Sequence, residues 1–181
     1  MRGQSENDAA WEAGVIRSWF LGRLPDGLFS GPADVTVDRE EITVVGPITP
    51  PELPEGASDA ERAAAAEGRA KAFRESTREQ RIGIAREAEH RFDRKVSWGV
   101  EVDDRRMLFT HLAVPVMTRL RQPERLVLDT LVAAGVARSR ADALAWAVRL
   151  VGRNTEEWLA DLRVAMEEVE RVRSRGPQAS G

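Results

Sequence analysis

The sequence predicts an α+β protein: an N-terminal helix and β-hairpins with a long charged helix, then a C-terminal strand–helix–helix module and a final amphipathic helix. Short runs in which apolar and polar residues alternate, at 34–46 and 96–114, are typical of strands. Apolar residues spaced by three and four, typical of amphipathic helices, occupy much of the remaining chain. With 181 residues, 42% of them hydrophobic, the chain is long and apolar enough for one core with an attached lobe.

The amino-terminal lobe is predicted to span residues 1–114. It begins with a helix at 8–22, in which Trp11, Val15 and Trp19 fall on one face. A hairpin follows at 34–46. Four prolines in the stretch 47–57 then predict an extended linker or lobe boundary, because proline fixes φ and lacks an amide donor.

A single long helix is predicted at about 58–95. Ser58 and Glu61 have the spacing of a capping box, which marks its start. The charge run that includes Arg74, Arg78 and Arg81 is interpreted as a solvated face, with nucleic-acid contact as a secondary interpretation. This helix is also the place where a protein partner is expected to bind, if there is one.

The second hairpin is predicted at 96–114, and His111 is assigned to its return strand. Val96, Trp98, Val100 and Val102 alternate strictly with other residues, as in a half-buried strand.

Composition excludes several kinds of chemistry. The chain has no cysteine, so it has no thiolate site, and its two histidines are too few for most histidine-based metal sites. They also make a catalytic triad improbable on composition. No glycine-rich phosphate loop or nucleophile elbow is present. We therefore expect no enzyme activity, cofactor or metal. The acidic residues Asp38, Glu40 and Glu41 are interpreted as a solvated turn.

The sequence also bears on membrane association and on cellular location. No apolar run approaches the roughly 18 residues that span a bilayer, and the amino end lacks the pattern of a secretory signal. We therefore expect a cytoplasmic protein without membrane association.

Charge is distributed unevenly along the chain. The formal net charge is −3, yet residues 105–153 carry nine basic and three acidic side chains, a local charge of +6. Acidic segments flank this block on both sides. A local basic patch matters more than the total charge for attraction to a polyanion such as DNA.

The basic block contains the predicted carboxy-terminal module, residues 115–175. Residues 116–121 are predicted to form a short strand that places Met117, Arg119 and Arg121 on one face. A helix from Pro123 to the glycine at 135 follows. Ser139 and Asp142 then have the spacing of a cap and its reciprocal partner at the start of a second helix.

A last amphipathic helix is predicted from Asn154 and Glu157, which have capping-box spacing, and residues 176–181 are expected to be a disordered tail.

The isolated strand suggests how the module would work. One strand of this length leaves backbone groups unpaired, and antiparallel pairing with a second copy would satisfy them. A two-stranded ribbon fits the DNA major groove, where arginine contacts guanine with two hydrogen bonds. The amides around Ser139, flanked by Arg138 and Arg140, suit a phosphate.

The stretch from Gly135 to Val151 resembles the second helix of the ribbon–helix–helix family of bacterial DNA-binding proteins. The resemblance lies in the glycine turn, in Arg138-Ser139-Arg140-Ala141-Asp142-Ala143-Leu144 and in Ala147-Val148-Arg149. It extends over about residues 116–151. It implies a homodimer that binds double-stranded DNA, with Met117, Arg119 and Arg121 facing the groove and Ser139 and Arg140 on phosphate.

The expected function is therefore a dimeric, sequence-specific DNA-binding transcriptional regulator. Two alternatives stay open. The module is also compatible with an ordinary piece of an α+β core, in which Arg119 and Arg121 protect an edge strand from aggregation. The protein as a whole is also compatible with a non-enzymatic helical scaffold that binds a protein partner through its long helix and last helix.

Overall fold

A computed structural model of the chain describes residues 2–175 and confirms the α+β class. Its elements, in chain order, are α1 (Arg2–Arg23), β1 (Asp34–Val37), β2 (Glu41–Pro47), α2 (Asp59–Ser76), α3 (Arg78–Phe92), β3 (Lys95–Val102), β4 (Arg105–Leu108), α4 (Gln122–Ala133), α5 (Arg140–Asn154) and α6 (Glu156–Arg175). The chain divides after Pro115 into two compact units, 1–115 and 116–181. The predicted boundary at 114/115 lies next to this division. The predicted disordered tail at 176–181 lies outside the described residues.

Unit 1 is built on a four-stranded sheet with the order β1-β2-β3-β4. The two predicted hairpins form its antiparallel edges, with Val35 opposite Val44 and Val100 opposite Met107. Between them β2 and β3 run parallel over seven residue pairs, so α2 and α3 form the crossover connection that parallel strands require.

Helices α1 and α3 pack on one face of this sheet. The core there includes Ile16 and Phe20 from α1, Ile84 from α3 and Trp98 from β3. A neighbouring cluster joins Ala66 and Ala70 of α2 to the other half of β3. The Phe29 ring lies over Gly46, where an added Cβ would come within 2.1 Å of it, so this contact requires glycine.

The proline-rich stretch 47–57 is not a boundary between units. It lies inside unit 1 and joins β2 to α2. Its first residues are fixed: the Ile48 amide donates to the Glu101 carbonyl at 2.9 Å, and the Ile48 side chain is buried. After Ile48 most of the stretch is exposed, so it is anchored to the sheet at its start and serves as a linker within unit 1.

The prediction of one helix over 58–95 is wrong, because the helix is interrupted at Thr77. The Thr77 hydroxyl donates to the Phe73 carbonyl at 2.7 Å and accepts from Arg81 Nε at 2.9 Å. A hydroxyl that bonds to the preceding turn competes with the regular helical ladder and bends the chain. The break turns the crossover into two helices, and it draws Arg81 into the junction.

Two other boundaries differ from the prediction. The return strand β4 ends at Leu108, so His111 lies in an irregular segment rather than in a strand. Asn154 is the last residue of α5 and donates its side-chain amide to the Leu150 carbonyl at 2.8 Å, so it does not cap the last helix. Thr155 separates α5 from α6.

Unit 2 contains α4, α5 and α6, preceded by the segment 116–121. Its small core consists of Leu128, Ala137 and Ala143 with half-buried neighbours. None of the helices in the described part of the chain combines the length and the apolar character needed to cross a bilayer.

Candidate nucleic-acid interface

The segment 116–121, predicted as a strand, belongs to no sheet among the residues that the structure describes. Val116 and Met117 are 84% and 95% exposed. In a single chain, this short stretch of backbone and its two exposed apolar side chains are therefore accessible to another strand.

One end of this segment is fixed to the unit 2 core. Leu120 is half-buried and packs against the cluster of Leu128, Ala137 and Ala143. Its carbonyl accepts a hydrogen bond of 2.7 Å from Arg125 Nη1 on α4. The side chains before and after Leu120, Arg119 and Arg121, are exposed. The predicted alternation holds only around Leu120: Thr118, predicted on the same side as Leu120, is exposed, as is Val116, and no ladder is formed.

The turn between α4 and α5 depends on Gly135, whose φ of 73° lies in the left-handed region. The Gly135 amide donates to the Val132 carbonyl and the Val136 amide to the Leu131 carbonyl, both at 3.0 Å. These bonds satisfy the last carbonyls of α4, as in a Schellman-type helix end. The turn sets where α5 begins.

Ser139 caps α5, as predicted from its spacing to Asp142. The Ser139 hydroxyl accepts from the Asp142 amide at 3.2 Å. The Asp142 carboxylate accepts from the Arg138 amide at 3.0 Å, one residue earlier than in a standard capping box. This carboxylate already supplies negative charge at the start of the helix, and the cap leaves the amides of Arg140 and Ala141 for an external acceptor.

Arg140 is held by a carboxylate rather than pointing freely at the start of α5. Its Nε and Nη2 donate to the two oxygens of Asp129 on α4, at 2.6 and 2.7 Å. The hydrogen bond from Arg140 lowers the pKa of the Asp129 carboxyl, and the bond to Asp129 raises the pKa of the Arg140 guanidinium. The pair joins the two helices across their turn.

The three other predicted arginines differ from Arg140. Among the described residues, the guanidinium groups of Arg119, Arg121 and Arg138 make no ion pair or hydrogen bond, and all three side chains are exposed. Arg119 and Arg121 lie on the segment 116–121, and Arg138 lies just before α5. The unit therefore presents three uncompensated positive charges beside an unpaired segment.

Helices α4 and α5 also carry exposed apolar side chains, which form what we call the apolar face of unit 2. Its members are between 53% and 65% exposed: Leu126 and Val127 on α4, and Val148 and Val151 on α5. Single exposed apolar residues are ordinary, so burial of these four by another molecule is a question for substitution experiments.

Sequence inspection missed the two contacts that shape this surface. The pair Asp129–Arg140 joins residues on either side of a turn, and the bond from Arg125 to the Leu120 carbonyl involves backbone. Neither has a spacing that marks it in a sequence. In the described part of the chain, no three histidine, cysteine or acidic residues are grouped so that they could hold a metal ion.

Comparison with known proteins gives two family matches that together extend over most of the chain. The model described as "Rv1265-like protein, N-terminal domain" matches residues 14–108. The model described as "Mb1296 C-terminal domain" matches residues 121–173. The division between them lies in the irregular segment that leads from unit 1 to unit 2.

Full-length relatives agree with the family matches. The uncharacterized proteins Mb1296 of Mycobacterium bovis and Rv1265 of Mycobacterium tuberculosis are each 60% identical to this chain over 166 residues. The aligned region is 92% of this chain and 72% of each relative. No solved structure matches the chain.

Proposed function

We propose that this chain, which belongs to the Rv1265-like family, is a dimeric DNA-binding transcriptional regulator. The segment 116–121 would pair with its copy and enter the major groove. The observation that supports the proposal is the state of this segment: apart from Leu120 it is exposed, and among the described residues it pairs with no strand and its two arginines have no carboxylate partner. We propose no enzymatic activity for the chain. The proposed function implies a cytoplasmic location, because bacterial DNA lies in the cytoplasm.

Backbone pairing is the first argument for a second copy. An exposed segment outside any sheet is a template for another strand, and in this segment only the carbonyls of Leu120 and Arg121 are already bonded, both to Arg125, among the described residues. Leu120 and Arg125 fix the carboxyl end of the segment, so little conformational entropy remains to be lost when a ladder forms there. The apolar face of unit 2 gives the copy a surface to bury beside the ribbon.

Charge is the second argument. In an antiparallel ribbon Met117, Arg119 and Arg121 would share the face that looks into the groove, where arginine distinguishes guanine through its O6 and N7. Arg138 and the first amides of α5 would contact phosphate, with Ser139 holding the start of the helix. Arg140 would reach the same phosphate only by leaving Asp129.

The test is DNA binding by the double variant Arg119→Ala/Arg121→Ala. A duplex that the wild-type chain selects from a random library would be titrated by fluorescence anisotropy. We expect the double variant to bind it about 100-fold or more weakly, because each bidentate arginine–guanine contact contributes about 1–3 kcal/mol. The matched control is Arg62→Ala/Arg69→Ala, which removes two exposed arginines from α2 and should leave affinity unchanged.

Two results would count against this proposal. Equal weakening by both double variants would mean that only total charge matters. Selection of no duplex by the wild-type chain would remove the DNA-binding function altogether.

One observation favours the alternative of a scaffold that binds a protein. Helix α6 carries a row of apolar side chains that are all at least half exposed: Trp158, Val164, Met166, Val169 and Val172. If the chain is such a scaffold, the wild-type chain binds no duplex at about 150 mM salt, and replacing Trp158 by Asp abolishes co-purification of a protein partner. A DNA-binding regulator instead binds duplex at that salt concentration and co-purifies with no partner that depends on Trp158.

A further inference from the structure

A cleft in unit 1 is distinct from the proposed DNA-binding surface. It lies where the end of α2, the start of α3 and the strand β3 meet, and has a volume of about 510 Å³. That is within the range of roughly 300–1,000 Å³ that small-molecule sites occupy. The residues that line it come from two helices, a strand and the irregular stretch after β4.

Positive charge dominates the rim of this cleft. Lys71, Arg74, Arg78 and Arg81 line it together with one acidic residue, Glu75. Arg78 is paired with Glu79, which lies outside the lining. A cleft with this balance attracts an anion.

Arg81 is buried without a carboxylate, which is unusual for a charged side chain. It is 7% exposed. Its Nε donates to the Thr77 hydroxyl and its Nη2 to the Arg74 carbonyl at 2.7 Å, while Nη1 has no hydrogen-bond partner in the described chain. Burial, followed by the charges of Arg74 and Arg78, lowers the pKa of the Arg81 guanidinium. An anion in the cleft would relieve this unfavourable environment.

The floor of the cleft is apolar and aromatic. Ile82, Ala85 and Val96 line it, and the Phe109 ring lies beneath the guanidinium carbons of Arg81 and Arg74, at 4.9 and 5.8 Å from its centroid. Because the guanidinium groups already lie on the Phe109 ring, a planar ligand would stack on the guanidinium groups and on the apolar side chains beside them.

Trp98 adds a second unsatisfied donor. Its side chain lines the cleft and is 4% exposed, and its Nε1 has no hydrogen-bond partner among the described residues. A buried indole N–H without an acceptor is unfavourable and uncommon in native proteins. The Nε1 atom is itself covered by the protein, so it lies behind the surface of the cleft, and a ligand could accept from it only after a local movement of the wall.

We propose that this cleft is a binding site for an aromatic carboxylate. The carboxylate would pair with Arg81 and Arg74, and the ring would lie against Ile82, Val96 and the flat faces of these guanidinium groups. The proposal is independent of DNA binding and stands or falls without it.

The probe for the test is 1-hydroxy-2-naphthoate, titrated into the full chain by isothermal calorimetry. It carries a carboxylate, a neighbouring hydroxyl and two fused rings. Its methyl ester keeps the rings without the charge, and inorganic phosphate keeps charge without a ring. We expect one naphthoate per chain, with the ester and phosphate each binding at least tenfold more weakly.

Substitutions of single arginines test whether the naphthoate binds in this cleft. Arg74→Gln should weaken naphthoate binding about tenfold, since a hydrogen bond to a charged group is lost. Arg86→Gln, an exposed arginine of α3 outside the cleft, should leave it unchanged. Arg81→Lys keeps the charge but loses the planar fork and should also weaken binding.

Arg81 also stabilises the α2–α3 junction, so the folding of Arg81→Lys is compared with that of the wild type by circular dichroism. If Arg81→Lys fails to fold, the test rests on Arg74→Gln. The proposal is overturned if Arg74→Gln and Arg86→Gln bind alike, if the ester binds as tightly as the acid, or if phosphate does.

Discussion

At the scale of single residues, the ion pair between Glu12 and Arg94 links α1 to the residue that precedes β3. Arg94 Nη1 and Nη2 donate to the two Glu12 oxygens, both at 2.8 Å, and Arg94 Nε donates to the Asp38 carbonyl. The side-chain hydrogen bond from Arg94 lowers the pKa of the Glu12 carboxyl. The folded state therefore favours the ionised form of Glu12, and protonation opposes folding.

This linkage gives a prediction for Glu12→Gln. We expect a loss of about 1 kcal/mol in the free energy of unfolding at neutral pH, because the pair is partly exposed and screened by solvent. Since the folded pKa of Glu12 is lowered, the difference is fully present above the ordinary glutamate pKa and disappears as pH falls through the lowered value.

Urea unfolding of both proteins across this pH range measures the effect, with Glu52→Gln, an exposed residue of the proline-rich stretch, as the matched control. A difference that does not change with pH would show that packing rather than charge is responsible.

Prediction of individual residues from the sequence succeeded where the signal is local and failed where it depends on the tertiary structure. The Ser58–Glu61 capping box is present, with the Ser58 amide donating to Glu61 at 2.7 Å, because both partners lie within one turn. The sequence grouped Arg81 with Arg74 and Arg78 on a solvated face. Its burial follows from the break at Thr77 and from Phe109, which is distant in sequence.

At the scale of elements, the α4–α5 junction shows how one backbone conformation positions the proposed DNA-binding surface. Gly135 sits at φ 73° with no atom near enough to crowd an added Cβ. The space would therefore admit alanine, and only the backbone conformation disfavours it. A non-glycine residue in the left-handed region costs about 1–2 kcal/mol.

We expect Gly135→Ala to lower the stability of unit 2 by about 1 kcal/mol or more. Gly152→Ala is the matched control: it lies in α5, has equally open surroundings, and should stabilise the helix by about 0.5–1 kcal/mol. Thermal unfolding followed by far-UV circular dichroism compares the two variants. Effects of the same sign would mean that the left-handed conformation at Gly135 is not what the turn requires.

The elements with clear periodicity were predicted, and those decided by pairing were not. Both hairpins and the helices of unit 2 exist because alternation and helical spacing are properties of the local sequence. The parallel pairing of β2 with β3 joins strands separated by two helices, and no local pattern specifies it. The segment 116–121 has a strand pattern but no partner in its own chain, so the pattern alone does not make it a strand.

At the scale of the whole molecule, the proposed dimer predicts a concentration-dependent mass. Sedimentation equilibrium should give twice the 20.1 kDa of one chain at high concentration. Val148→Asp/Val151→Asp should shift the mass towards one chain, because charges would be buried in the apolar face of unit 2 while the single chain keeps these positions exposed.

The matched control for this prediction is Trp11→Asp/Leu21→Asp. It places two charges at exposed apolar positions of α1 in unit 1 and should leave the mass of the assembly unchanged. A wild-type chain that stays single at every concentration would contradict the dimer, and with it the ribbon.

The unpaired segment 116–121 also has a consequence for gene dosage. In the proposed dimer neither chain contains a complete DNA-binding element, so the number of complete elements rises with the square of chain concentration while most chains are single. Halving the amount of protein would then lower the number of dimers by about fourfold. DNA binding by such a regulator changes more steeply than its abundance, because each complete binding surface needs two copies of the chain.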